Sequence, residues 1–74
     1  MDNAIKLVAM QANLSALRAT LAIALGLATE AESAMQRGNA NEAIGAADGI
    51  AGLVADAAAF HTAALALHRQ AGNG

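Results

Sequence analysis

Gln36-Arg37-Gly38-Asn39-Ala40-Asn41-Glu42 places a helix stop directly before a helix start. Gly38 can take the left-handed conformation that closes a helix, since it has no Cβ to clash. Asn39 is a good first cap for the next helix, and Glu42 stands three residues on, as in a capping box. On both sides the chain is free of proline and rich in alanine, with 23 alanines in 74 residues. Alanine has the highest helix propensity, so long uninterrupted helices are expected on either side of residues 38–39.

Working outward from that turn, the apolar residues fall into two ladders. Leu7, Met10, Leu14, Leu17, Leu21, Ala24, Ala28, Ala31 and Met35 alternate steps of three and four. Ala43, Ala46, Ile50, Leu53, Ala57, Phe60, Ala64, Leu67 and Ala71 do the same. In antiparallel register the rungs become Leu7 with Ala71, Met10 with Leu67, Leu14 with Ala64, Leu17 with Phe60 and Leu21 with Ala57. Ala24 with Leu53, Ala28 with Ile50, Ala31 with Ala46 and Met35 with Ala43 complete the set. Most rungs set a large side chain against a small one, which fills a seam without voids. The pattern predicts an all-α chain: one hairpin domain over residues 1–74, with a helix over about 3–37, a turn at 38–39 and a helix over about 40–71. Asp2 is a candidate cap for the first helix, and Gly72-Asn73-Gly74 is expected to fray.

The ladders leave apolar residues over. Ile5, Val8, Ile23, Leu25 and Leu27 lie off the first ladder, and Ile44, Val54 and Leu65 lie off the second, beside Ala47, Ala51 and Ala58. One hairpin cannot bury two stripes, and a wet second stripe is a large exposed patch. A two-fold dimer making a four-helix bundle, or a higher helical oligomer, resolves this. Leu25, Leu27, Ile44, Val54 and Leu65 are its expected interface. A third surface is smooth: Ala9, Ala12, Ala16, Ala19 and Gly26, with Gly45, Gly52, Ala59 and Ala66. Small residues let backbones approach closely, so a partner helix or a higher oligomer could dock there, and the plainer reading is a solvent face written in alanine. Gly49, in this register, lies beside Leu27 and makes room for it.

Size strengthens the case for association. A 74-residue chain has a marginal core unless something staples it. Cysteine is absent, so there is no disulfide, and there is no metal-ligand spacing of the finger kind. Net charge is −2, and the four basic residues Lys6, Arg18, Arg37 and Arg69 are scattered. Phosphate-tracking surfaces concentrate such residues, so nucleic-acid binding is disfavoured. The opening residues lack a basic segment followed by an apolar run, so no secretory signal is read and the cytoplasm is the expected compartment. Ala46-Ala47-Asp48-Gly49-Ile50-Ala51-Gly52-Leu53 has the look of the proteolipid ring subunits of rotary ATPases. A span, however, needs about 20 mostly apolar residues. Arg18 and Glu30 close the longest run, and Asp48, Asp56, His61 and His68 cut the second helix. A membrane role is therefore not expected.

Catalytic chemistry finds little purchase. There is no thiol nucleophile, no Gly-rich phosphate loop, no Gly-x-Ser-x-Gly turn and no Glu-x-x-His pair. No catalytic residue, cofactor or metal site is assigned. One polar cluster is a candidate: the ladders put Gln11 near His68 and Arg18 near His61 on one flank. Arginine with imidazole and amide groups suits an anion or phosphate. The plainer reading is an interface edge with Arg18 paired to an acid of the neighbouring subunit, as is routine in bundles. His61 and His68 lie about 10 Å apart along a helix, too far to chelate one metal from a single chain.

In outline this architecture resembles the repressor-of-primer type of plasmid protein, whose helical hairpins dimerise into a four-helix bundle. No residue motif is shared, so the resemblance implies an architecture and no activity. The expected function is that of a non-enzymatic interaction or assembly protein, such as a phage-borne or bacterial accessory factor. Its expected partner is itself, with another protein as a further one. A small-ligand or anion-binding oligomer using Arg18, His61, Gln11 and His68 is the alternative, and an RNA-binding hairpin dimer comes third.

Overall fold

A computed structural model describes the chain over residues 3–73, and its side chains over residues 3–70. The protein is all-α. Helix α1 spans Asn3–Gln36, α2 spans Ala40–Asp48 and α3 spans Ile50–Asn73. Asp2, the candidate cap, and Gly74 lie outside the described residues, as does the side chain of the rung residue Ala71. Helix α3 continues through Gly72 to Asn73 rather than ending at Ala71. Helices α2 and α3 form one arm with a tightened turn between them. Gly49 stays helical at φ −74° and ψ −13°, and its N–H reaches back only three residues, to the Ala46 carbonyl at 3.3 Å.

The reversal between α1 and α2 is built almost wholly from backbone. The Gly38 N–H donates to the Met35 carbonyl (2.9 Å) and the Asn39 N–H to the Ala34 carbonyl (2.8 Å). Those two bonds form the Schellman closure, and they require the left-handed φ of +77° that Gly38 adopts. Asn39 then caps α2, its Oδ1 accepting the Glu42 N–H at 3.1 Å. The reciprocal half of a capping box is missing, for a clear reason. The Asn39 N–H already serves Ala34, so the Glu42 carboxylate instead accepts from Asn39 Nδ2 (3.0 Å) and pairs with Arg37 Nη2 (3.0 Å). Beside this turn, Ala34 and Ala43 are the most deeply buried of the described residues.

The arms lie side by side in a body 55 Å long and only 14 by 12 Å across. Along the second arm the residues turned inward are the expected ones: Ala43, Ala46, Ile50, Leu53, Ala57, Phe60, Ala64 and Leu67 are all buried or half-buried. Along α1 the expectation is corrected. Met10, Leu17, Ala24 and Ala31 face inward as expected, but Leu7, Leu14, Leu21, Ala28 and Met35 are exposed. Their places are taken by the preceding residues Lys6, Asn13, Thr20, Leu27 and Ala34. Replacing alternate positions by their neighbours amounts to turning α1 by about 50°.

Two features account for the turn of α1. The closure at Asn39 ties the chain to Ala34, which sets Ala34 rather than Met35 against the start of α2. At the next level Gly49 opens a gap that Leu27 fills, so that a Cβ added at Gly49 would stand 3.1 Å from Leu27 Cδ1. The polar residues this rotation brings inward satisfy themselves locally. Asn13 Nδ2 donates to the Ala9 carbonyl (2.9 Å), Thr20 Oγ1 to the Ala16 carbonyl (2.7 Å), and Lys6 Nζ reaches across to the Gln70 carbonyl (3.4 Å). Among the described residues no buried polar side-chain atom lacks a partner.

The turn carries a direct prediction. Gly38→Ala forces a side chain into a left-handed conformation and should lower stability by about 1 kcal/mol. Asn39→Ala removes the cap and should cost about 1 kcal/mol as well. Urea unfolding followed by circular dichroism measures both, and a neutral Gly38→Ala would contradict the Schellman closure.

Candidate association face

Rotation of α1 decides what the outside of the pair looks like. Because inward residues on α1 recur every seven positions, residues at a fixed offset from them keep a constant place around the seam. The row Leu7, Leu14, Leu21, Ala28 and Met35 flanks the seam on one side, and the row Gln11, Arg18, Leu25 and Glu32 lies next to it. On the same side of the second arm run Ala47, Val54, His61 and His68, then Ile44, Ala51, Ala58 and Leu65. One side of the molecule therefore collects eight of the eleven exposed large apolar side chains: Leu7, Leu14, Leu21, Leu25, Met35, Ile44, Val54 and Leu65. Ile5, Val8 and Ile23 are also exposed but lie elsewhere on α1.

Of the residues expected at an oligomer interface, Leu25, Ile44, Val54 and Leu65 are on this face. Leu27 is not: it is half-buried in the seam against Gly49. Leu7, Leu14, Leu21 and Met35, expected in the seam, lie on this face instead. The signal that would have found them is the turn itself, because the closing bond to Ala34 fixes which rows of α1 point inward.

The polar candidates are placed on the same side but are not drawn together. Gln11, Arg18, His61 and His68 are all exposed. With α1 turned, the leucine row Leu7–Leu14–Leu21 stands between Gln11 and Arg18 and the second arm. Gln11 Nε2 donates to Ser15 Oγ on its own helix at 3.2 Å. Among the described residues there is no cavity and no group of three His, Asp or Glu positioned around a metal. The four residues form a polar border within an apolar face, which is the usual make-up of an association surface.

The opposite side is acidic and mostly small, apart from Ile5 and Ile23, which fall in its two α1 rows and are exposed. Ala12, Ala19, Gly26, Gly45, Gly52 and Ala59 are exposed there, and Glu30, Glu42 and Asp56 flank them. A Cβ built at Gly26, Gly45 or Gly52 would meet nothing within 4 Å.

No protein-family model, no curated protein and no solved structure matches this chain.

If water covers the smooth side, its glycines only weaken the helices. Gly45→Ala and Gly52→Ala should each raise stability by about 0.5–1 kcal/mol and leave the solution mass unchanged. Thermal melts with light scattering measure this, and a loss of stability or a changed mass would place a packed surface there.

Proposed function

We propose that this chain is a non-enzymatic assembly protein, a helical hairpin that pairs with a second copy through its apolar face into a four-helix bundle. The observation that carries this reading is how little the single chain buries. Among the described residues its core is Ala24, Ala34, Ala43, Ala57 and Ala64, and no larger side chain is fully buried. The accessible surface is 4958 Å², whereas a compact monomer of 7.3 kDa exposes about 4,200 Å². A chain that folds around five alanines and leaves eight large apolar side chains on one side lacks a self-sufficient core. Stable interfaces bury roughly 800 Å² per partner, and a face 55 Å by 14 Å is of that order.

Both arms are long and apolar enough to cross a membrane, judged by length and composition. Association in water is the better reading of the same residues. A span of about 20 residues would carry Arg18 on one arm, and Asp56 with Asp48 or His61 on the other, into hydrocarbon, and charges there are costly. An aqueous compartment, the cytoplasm by default, follows from this choice.

Sedimentation equilibrium at micromolar concentration should give at least twice the chain mass. Leu25→Ala combined with Val54→Ala should lower stability by a few kcal/mol and make the melting temperature depend more strongly on concentration. A stable monomer, or a chain that stays monomeric in buffer and partitions fully into neutral vesicles, overturns the reading. A phosphate-induced rise in melting temperature that vanishes in Arg18→Ala would favour anion binding in its place.

A further inference from the structure

We propose that the two copies meet antiparallel, α1 against α1, about a two-fold axis at Leu25, with Arg18 of each copy paired to Glu32 of the other. This rests on the association proposed above and gives it a register. Arg18, Leu25 and Glu32 occupy one row of α1 at seven-residue spacing, so the two charges lie equally far, about 10 Å, on either side of Leu25. A two-fold axis through Leu25 perpendicular to the helix exchanges those two positions. Each arginine then meets a carboxylate, twice over.

Among the described residues nothing competes for these charges. Both residues are exposed, and the ion pair found among the described residues is Arg37 with Glu42, at the turn. Glu32 is also the one carboxylate on this face among the described residues. On the second arm Glu42, Asp48 and Asp56 all lie outside the two rows that belong to it. Leu25 itself is 68% exposed, the most exposed of the large apolar side chains on the face. A charge left alone beside an apolar interface is unfavourable, so an arginine there calls for an acid.

The neighbouring row fits the same axis. Leu14 comes level with Met35 of the partner subunit, and Leu21 with Ala28 of the partner subunit. The other two-fold arrangement, with its axis along the molecule, sets α1 opposite the partner's second arm with their open ends level. Arg18 would then face the half of that arm bearing His61 and His68, which contributes no acid to the face. Charge complementarity therefore selects the antiparallel register.

Charge exchange in the full chain tests the register. Arg18→Glu and Glu32→Arg should each weaken the dimer about tenfold at low salt, since each places like charges together at two symmetric points. The double exchange R18E/E32R should return the dissociation constant to within about threefold of the original. Leu25→Cys provides a second measurement in a chain without cysteine. At the axis it should oxidise to a disulfide-linked dimer in a glutathione buffer, whereas Ala19→Cys, on the smooth side, should remain reduced. A dimeric parent whose double exchange is as weak as the single ones, or whose Leu25→Cys links no faster than Ala19→Cys, overturns the register and leaves association standing. A monomeric parent removes both.

Discussion

The bond from the Asn39 N–H to the Ala34 carbonyl governs the rest of this molecule. It reaches five residues back along the chain to close α1 and is possible only because Gly38 can turn left-handed. Once Ala34 is held there, the inward row of α1 is set along its whole length, because a helix is rigid about its axis and every seventh residue follows. The bond thus decides at one end of a 55 Å body which leucines are wet at the other.

Much of the architecture was legible in residues. The stop at Gly38, the cap at Asn39, the inward row of the second arm and the space that Gly49 leaves for Leu27 can all be read from residue type and spacing. What could not be read was the rotation of α1. A hydrophobic ladder weights leucine over asparagine and threonine, so Leu14 and Leu21 outscored Asn13 and Thr20 as inward positions. Asn13 and Thr20 nonetheless turn inward at little penalty, because each donates a hydrogen bond to a carbonyl of its own helix. Arg18 suffered the same displacement. With α1 turned, the row of Leu14 and Leu21 stands between it and the second arm, so the expected approach to His61 does not follow from the ladders.

Binary patterning assumes that the largest apolar side chains belong inside. In this chain they are divided: alanines let the arms approach closely, and bulky residues are kept for the outer face. The division makes sense if the unit that folds is larger than one chain, for then the outer leucines are an interior not yet assembled.

Such an arrangement reverses the usual sense in which a core is constrained. At Ala34, Ala43 and Ala57 the seam sets a ceiling, because any added carbon pushes two backbones apart, while removing the methyl loses helix propensity. On the outside, Leu14, Leu25 and Val54 sit under a floor, where loss of bulk is what the assembly would feel. As the sequence drifts, interior positions should therefore wander only among the smallest residues. The outer positions can exchange one large aliphatic for another, and on the association proposed above it is their bulk, rather than their identity, that two hairpins would read.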